Sequence, residues 1–194
     1  MAKACYLYIR LTNINWQGSQ MAVNTLEQAL IKDLRAAEIF AGLYDYPGLS
    51  DYELGEVAKI CTLHTYQVGQ HCAVQGKTTD ELGIVREGKA AVEMRLEIVP
   101  YTQTITFATL LRGNVYAWSA LVEPHVLTAS VRCIDEVQTI QIAGSDLRHL
   151  FKERPSIQIV MMRNLAIVIN SRLRDSRAQL VRLVSELIAQ GKLE

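Results

Sequence analysis

The chain has 194 residues, 49% of them hydrophobic, which is enough for one sizeable buried core with a few helices. Lys plus Arg and Asp plus Glu number 20 each, and this zero net charge gives no generic basic surface for DNA or anionic lipid. No run of about twenty apolar residues would span a bilayer, and the first residues are too polar for a signal peptide, so we expect a cytoplasmic protein without a membrane anchor.

Residues 1–24 show no clean period, and we interpret them as an N-terminal extension. Residues 25–64 are predicted to hold the N-terminal helices. Apolar residues recur at three-to-four spacing from Thr25 to Phe40, which predicts an amphipathic helix that ends at Gly42. Ser50-Asp-Tyr-Glu53 then forms a capping box, so a short second helix is expected through about Cys61.

Residues 65–143 are rich in short Val, Ile and Thr runs separated by glycines, which predicts an antiparallel sandwich or barrel. Ala90–Ile98 alternates partly, and Thr104–Leu110 alternates well, between apolar and polar residues. We expect them to form a hairpin with its turn at Pro100–Gln103.

The four cysteines lie far apart in sequence and form no Cys-x-x-Cys pair, so we expect reduced, buried thiols. The four histidines lack metal-ligand spacing. The sequence also has no nucleophile elbow and no phosphate-binding Gly-Lys-Ser/Thr loop. We therefore expect neither a catalytic site nor a metal site.

Residues 144–194 are predicted to hold a short helix and a long one. Ser145 and Asp146 are expected to cap the short helix, and Pro155 suits the first turn of the next, which runs from about Ser156 to Ala189. Heptad spacing along the long helix predicts a dimer interface, with Ser176 as its polar member. Its residues are Ile159, Met162, Ala166, Ile169, Leu173, Leu180, Leu183 and Leu187. The broad apolar face also fits the alternative of a helix that lies on its own domain.

Two consecutive segments carry the strongest motif. Gly113-Asn-Val-Tyr-Ala-Trp-Ser-Ala-Leu121, followed by Leu127-Thr-Ala-Ser-Val-Arg-Cys133, resembles the phosphate-binding cassette of cyclic-nucleotide-binding domains of the catabolite-activator (CRP/FNR) family. We call residues 113–133 the cassette. Segments around Gly69, Gly88 and Leu147 resemble further family motifs, so the resemblance covers most of the chain.

The resemblance implies a mostly β protein with flanking helices (α+β). Its centre would be an antiparallel β-roll or jelly-roll barrel, preceded by N-terminal helices and followed by a long C-terminal dimerisation helix. In the family's transcription regulators a helix-turn-helix follows the long helix. The sequence ends at Glu194, and we expect no direct DNA binding.

Three cassette positions depart from the family pattern. Ala117, Trp118 and Leu127 stand where the family has a Gly, a Glu that accepts the ribose hydroxyl, and an Arg that pairs with the cyclic phosphate. Loss of such an Arg costs about 2–5 kcal/mol of binding, and an indole cannot replace a carboxylate as acceptor. A cyclic nucleotide is the ligand that the resemblance implies, and these replacements disfavour it.

The candidate ligand pocket combines cassette residues with two residues of the long helix, because in the family that helix places polar side chains over the purine. The residues are Tyr116, Ala117, Trp118, Ser119, Ala120, Leu127, Thr128, Ala129, Ser176 and Arg177. Ser176 fits equally well as a residue that sets helix register without any ligand.

Three functional interpretations remain open. The first is a non-catalytic, dimeric sensor or regulatory module, in which ligand or partner binding at the cassette shifts the long helix and another protein reads the shift. The second is a ligand-free interaction scaffold whose pocket is filled by Trp118. The third is a relative of transcription regulators that lacks the DNA-binding domain.

Overall fold

The computed structural model describes residues 19–190. Most of the predicted N-terminal extension lies outside these residues, but residues 19–24 belong to the first helix, so that helix begins before Thr25. The helices are α1 (Ser19–Ala36), α2 (Asp51–Ala58), α3 (Gly144–Glu153) and α4 (Pro155–Ala189). The strands are β1 (Cys61–Tyr66), β2 (His71–Ala73), β3 (Glu81–Glu87), β4 (Ala90–Ile98), β5 (Tyr101–Leu110), β6 (Val115–Tyr116), β7 (Ser130–Cys133) and β8 (Val137–Ala143).

The eight strands form two four-stranded antiparallel sheets, ordered β1-β8-β3-β6 and β2-β7-β4-β5. The pairing of β8 with β1 joins the two ends of the barrel sequence, from Cys61 opposite Ile142 to Tyr66 opposite Val137. This arrangement, with helices before it and one long helix after it, confirms the predicted fold class.

Two hydrophobic clusters hold these layers together. The helix-side cluster joins α1, α2, α3 and α4 to the outer face of the first sheet, with members such as Leu34, Leu54 and Met161. The barrel-side cluster lies between the two sheets. Its residues are Ala73, Val85, Ala90, Leu110, Tyr116, Leu127, Val131, Cys133 and Val137.

The capping box at α2 is confirmed. The Ser50 backbone N–H donates to Glu53 Oε2 at 2.9 Å, and the Glu53 N–H donates to Ser50 Oγ at 3.4 Å. The helix ends at Ala58, before the predicted Cys61, because Cys61 already pairs with Ile142 as the first residue of β1.

The predicted hairpin is confirmed, but its turn is shorter than expected. β4 and β5 pair from Ala90 opposite Leu110 to Ile98 opposite Tyr101. Only Val99 and Pro100 therefore remain for the turn, since residues 101–103 belong to the strand.

The predicted side-chain caps of α3 are wrong. The helix begins at Gly144 with Ala143 as N-cap, and no side chain of the cap residue binds the helix. Asp80, from the segment before β3, accepts a hydrogen bond from the Ser145 N–H at 3.1 Å and takes that role. Pro155 is found in the first turn of α4, as predicted.

A closed loop separates α1 from α2. The Leu49 N–H donates to Phe40 O at 3.1 Å across its base, and a Cβ on Gly48 would lie 2.5 Å from Gly42 N, so this close approach requires glycine. At the tip, the Arg163 guanidinium lies 3.9 Å from the centre of the exposed Tyr46 ring.

The long helix α4 has 35 residues and two distinct parts. Its first part is buried through Ile157, Met161 and Leu165, and Asn164 Nδ2 donates to Ile39 O at 3.2 Å and Ala41 O at 2.8 Å. Apolar side chains of the predicted dimer interface are exposed on both parts of the helix. Ile159, Ala166, Ile169, Leu173 and Leu180 are exposed and Met162 is half-buried; the side chains of Leu183 and Leu187 lie outside the described set.

Across residues 19–190, none of the helices combines the length and apolar character needed to cross a membrane.

Candidate ligand-binding site

Glu38 holds the beginning of the cassette. Its carboxylate accepts from the Val115 N–H at 2.8 Å and from Asn114 Nδ2 at 2.9 Å, while its own N–H donates to Gly113 O at 3.0 Å. Gly113 has a φ of 87°, a conformation that favours glycine. Sequence reasoning missed Glu38, because it lies far from the cassette along the chain.

Ala117 occupies the conformation that a glycine would favour. Its φ is 57° and its ψ is 33°, in the left-handed region. It precedes a short 3₁₀ helix, Trp118–Leu121, whose first turn closes by a 3.0 Å hydrogen bond from the Ala120 N–H to Ala117 O. The cassette backbone thus keeps its sharp turn although the residue has a side chain.

Leu127, at the position of the family's arginine, is part of the barrel core. Its side chain is 7% exposed and belongs to the barrel-side cluster with Ala73 and Val131. Its N–H donates to Lys77 O at 2.9 Å, and its carbonyl accepts from the Gly76 N–H at 2.8 Å. An apolar, anchored side chain at this position offers no charge to a phosphate.

Tyr116 and Trp118 face different clusters. Tyr116 is buried in the barrel-side cluster together with Leu127, whereas the half-buried Trp118 packs against the helix-side cluster. Ala120 is buried, Ser119 and Ala129 are half-buried, and Thr128 is exposed. The cassette candidates therefore divide between the two clusters and the surface, and both their assembly into one pocket and the filling of the sugar site by Trp118 stay predictions.

A polar group of side chains lies inside the barrel beside Tyr116. The Tyr116 ring covers Gly83, where a Cβ would come within 2.0 Å of the ring. Gln141 Nε2 donates to Tyr66 Oη at 2.6 Å. Burial raises the pKa of the Tyr116 phenol, which is therefore neutral at physiological pH.

Two thiols complete this interior group. Cys72 and Cys133 place their Sγ atoms 3.4 Å apart. The two cysteines are 61 positions apart in the sequence, so the sequence alone did not predict this contact.

Arg148 ties the cassette to α3. Its Nη1 donates to Ala120 O at 3.1 Å and its Nη2 to Asp80 Oδ1 at 2.8 Å. Partial burial raises the pKa of Asp80, but hydrogen bonds from Arg148 and Ser145 outweigh it, and that pKa lies below its ordinary value of 3.8. The carboxylate is thus a charged anchor between the 3₁₀ helix and α3.

The contacts of Ser176 and Arg177, the two candidates on α4, do not reach the cassette. Ser176 Oγ donates to Arg172 O at 2.9 Å within the helix, and Arg177 is exposed. The nearby Gln179 Nε2 donates to Phe107 O of β5 at 2.7 Å. The place of Ser176 and Arg177 in a pocket remains a prediction about a dimer.

Among the side chains of residues 19–190, no group of three or more His, Cys, Asp and Glu is arranged to hold a metal ion.

Comparison with known proteins agrees with this geometry. The family model of the cyclic nucleotide-binding domain matches residues 63–154. Glutaminase 1 of Bradyrhizobium diazoefficiens is 29% identical over 138 residues, which cover 71% of this chain and 21% of that protein. The chain thus spans about a fifth of the length of that curated relative.

Solved structures share the fold. A cyclic nucleotide-binding domain from Methylobacillus flagellatus aligns with a TM-score of 0.71 at 13% identity, covering 80% of this chain and 84% of that one. The catabolite activator protein of Thermus thermophilus aligns with a TM-score of 0.59 at 21% identity, covering 80% of this chain and 72% of that one. Residues 63–154 therefore match the cyclic nucleotide-binding domain, and the chain has the fold that catabolite activator protein also has.

Proposed function

We propose that the chain is a non-catalytic regulatory module whose cassette responds to something other than cyclic AMP or cyclic GMP. The observation that carries this proposal is the cassette itself. Its backbone keeps the left-handed turn at Ala117 and the 3₁₀ helix, while Leu127 is built into the barrel core. The framework is retained and the phosphate contact is not.

The replaced contacts argue against classical cyclic-nucleotide binding. A cyclic phosphate that enters this region meets an apolar, 7% exposed Leu127 where a bidentate arginine would neutralise its charge. Loss of such a pair weakens binding by about 2–5 kcal/mol, or roughly thirty-fold to several-thousand-fold.

Arg148 supports a route from the cassette to the long helix. It contacts Ala120 O in the 3₁₀ helix and Asp80 before β3, and it stands on α3, whose C-terminal end leads directly into α4 at Pro155. A ligand or partner that moves the 3₁₀ helix differently in two states would bias α3 and α4.

We further propose that α4 forms a homodimer and that another protein reads its position. The exposed Ile159, Leu173 and Leu180 lie at heptad spacing, and burying such side chains between two helices is the ordinary driving force for pairing. The same fold forms only part of longer chains, such as the regulatory domain of a Toxoplasma gondii kinase, of which the match covers 52%.

One observation favours a second candidate function. Leu127 and Tyr116 already fill the barrel side of the cassette, and Trp118 packs against the helix-side cluster. A domain whose pocket is occupied by its own side chains would act as a ligand-free interaction scaffold through α4.

Calorimetric titration with cyclic AMP and cyclic GMP, extended to millimolar concentration, tests the first proposal. We expect no heat of binding from the wild-type protein. Micromolar affinity would contradict it, because the site would then neutralise the phosphate by other groups.

A rebuilt cassette provides the positive control. The triple variant Ala117→Gly, Trp118→Glu and Leu127→Arg restores the family's residue types, and we expect it to gain measurable nucleotide affinity. A matched variant with Leu127→Gln in place of Leu127→Arg carries the same first two changes without the positive charge, and we expect it to stay silent. Circular dichroism of both variants checks that they remain folded.

A further inference from the structure

The barrel interior holds two thiols in direct contact. Cys72 of β2 and Cys133 of β7 have Sγ atoms 3.4 Å apart. The two strands pair with His71 opposite Arg132 and Ala73 opposite Val131, so Cys72 is the extra residue of a β-bulge. A bulge re-aims its side chain, and this one directs the Cys72 thiol toward Cys133.

The two thiols differ in their access to solvent. Cys133 is 0% exposed, whereas Cys72 is half-buried at the edge of the same cluster. Burial raises the pKa of both thiols, so they meet as neutral groups at physiological pH. An oxidant therefore reaches Cys72 first, and Cys133 is held in place to react second.

Cys61 shows what an isolated buried cysteine looks like in this fold. It is 1% exposed, and its Sγ donates to Val57 O at 3.3 Å. It lies in the helix-side cluster, away from the other two thiols. The pairing of Cys72 with Cys133 is thus a specific arrangement within the barrel.

We propose that Cys72 and Cys133 form a redox site, at which a peroxide converts the two thiols to an intrachain disulfide. The neutral Cys72 thiol loses its proton as its sulfur attacks one peroxide oxygen, the O–O bond breaks, and Cys72 becomes a sulfenic acid. The released hydroxide takes up that proton and leaves as water. The Cys133 thiol then loses its proton as its sulfur attacks the Cys72 sulfur and forms the S–S bond. The displaced hydroxide takes up that proton to give a second water. Two thiols lose two electrons and two protons in total, and one peroxide is reduced to two waters.

This oxidation is connected to the cassette through Tyr116. The Cys72 thiol lies beside the Tyr116 hydroxyl, and Tyr116 directly precedes Ala117 and Trp118. Disulfide formation requires the sulfurs to approach from 3.4 Å to about 2.05 Å and removes the thiol hydrogens. We expect the side chain of Tyr116 to adjust. Because Trp118 lies two residues after Tyr116 in the cassette, we expect its environment to change as well.

Treatment of the full chain with hydrogen peroxide, followed by alkylation and peptide mass spectrometry, tests the site. We expect a loss of two hydrogen masses, a linked pair of peptides containing Cys72 and Cys133, and reversal by dithiothreitol. In a Trp16→Phe background, which leaves Trp118 as the single tryptophan, we expect the emission spectrum to shift on oxidation and to return on reduction.

Three variants make the result specific. Cys72→Ser and Cys133→Ser should each abolish both the disulfide and the shift in Trp118 emission, whereas Cys61→Ser should retain both. Each of three outcomes would overturn the proposal. The first is sulfinic acid on Cys72 while Cys133 remains a free thiol that the reagent alkylates, and the second is a disulfide through Cys5 or Cys61. The third is unmodified thiols although glutathione added to the same tube is oxidised. A disulfide without a change in Trp118 emission would overturn its connection to the cassette.

Discussion

Gly83 and Tyr116 form a close steric pair that fixes the cassette at the level of single residues. A Cβ on Gly83 would come within 2.0 Å of the Tyr116 ring. The buried ring cannot retreat without disturbing its neighbours in the barrel-side cluster. Gly83 is therefore required by packing, since its backbone does not have the positive φ of Gly113.

We predict that Gly83→Ala destabilises the protein by about 1–3 kcal/mol, the usual cost of overpacking a core. Gly55 is the matched control, since it lies within α2 and a Cβ there would meet no atom within 4 Å. Gly55→Ala should stabilise by about 0.5–1 kcal/mol, because alanine is the better helix former. Urea unfolding measures both, and equal effects of the two substitutions would contradict the steric explanation.

The left-handed backbone at Ala117 is strained, and a glycine there would remove the strain. Its φ of 57° costs an L-residue about 1–2 kcal/mol, while glycine loses about 0.4–1 kcal/mol through its more flexible unfolded chain. We therefore expect Ala117→Gly to stabilise by up to about 1 kcal/mol in thermal or urea unfolding. Ala120→Gly is the control. Ala120 is buried within the 3₁₀ helix, so this substitution should instead destabilise the protein.

At this scale, sequence reasoning reaches local patterns such as the capping box of Ser50 and Glu53, which the structure confirms, while the effect of the cassette replacements on binding stays a prediction. The replacements at Ala117, Trp118 and Leu127 were readable because the cassette is one continuous motif. Glu38, Gly83 and the Cys72–Cys133 contact were not, because each acts on a partner that only the folded sheets and helices bring near.

The connection between the cassette and α3 belongs to the scale of elements. It depends on Arg148, whose guanidinium spans Ala120 O and the Asp80 carboxylate. The wrong prediction of side-chain caps at Ser145 and Asp146 has the same origin, since the acceptor at the start of α3 is Asp80, from a distant segment. Local cap patterns do not reveal an acceptor supplied by another element.

The Asp80 anchor predicts a pH-dependent stability. Because the pKa of Asp80 in the folded protein lies below 3.8, its ionised carboxylate stabilises the fold. This stabilisation is fully present above the pKa of the unfolded chain and is lost as pH falls through the lower pKa of the folded protein. We expect Arg148→Gln to cost about 1 kcal/mol at pH 6, the scale of a half-exposed ion pair plus one hydrogen bond. The difference from wild type should shrink as pH falls below 3.8 in urea unfolding.

Lys152→Gln is the control for this experiment, since Lys152 is an exposed basic residue of the same helix. Its effect should be small and independent of pH. A loss in Arg148→Gln that is the same at pH 6 and pH 3 would show that Asp80 is not the responsible partner.

On the scale of the whole molecule, the order of elements could be predicted and the layering of the sheets could not. Periodicity indicated helices, then short strands, then a short and a long helix, and all of these are present. The sheet order β1-β8-β3-β6 is set by pairing between strands that are distant in sequence, which periodicity does not contain.

The proposed dimer also belongs to this scale. Leu173 is 47% exposed on α4, and we predict that Leu173→Glu shifts the protein from dimer to monomer in analytical ultracentrifugation, because two buried carboxylates would repel across the interface. Ser171→Glu, two residues and about 200° away around the helix, should leave the dimer intact. A monomeric wild-type protein would contradict the assignment of this surface.

The closed loop between α1 and α2 has a consequence for how the domain tolerates change. Its two ends are in backbone contact at Gly42 and Gly48. The chain therefore leaves the core and returns to it at one place, whatever the length of the segment between these two glycines. The entropy of closing such a loop grows only by about 0.6 kcal/mol for each doubling of its length. The segment around Tyr44 is thus a place to insert a fluorescent tag or an affinity peptide without change to the barrel or the cassette, at the loss of the Arg163 contacts with Tyr46 and Leu43 O.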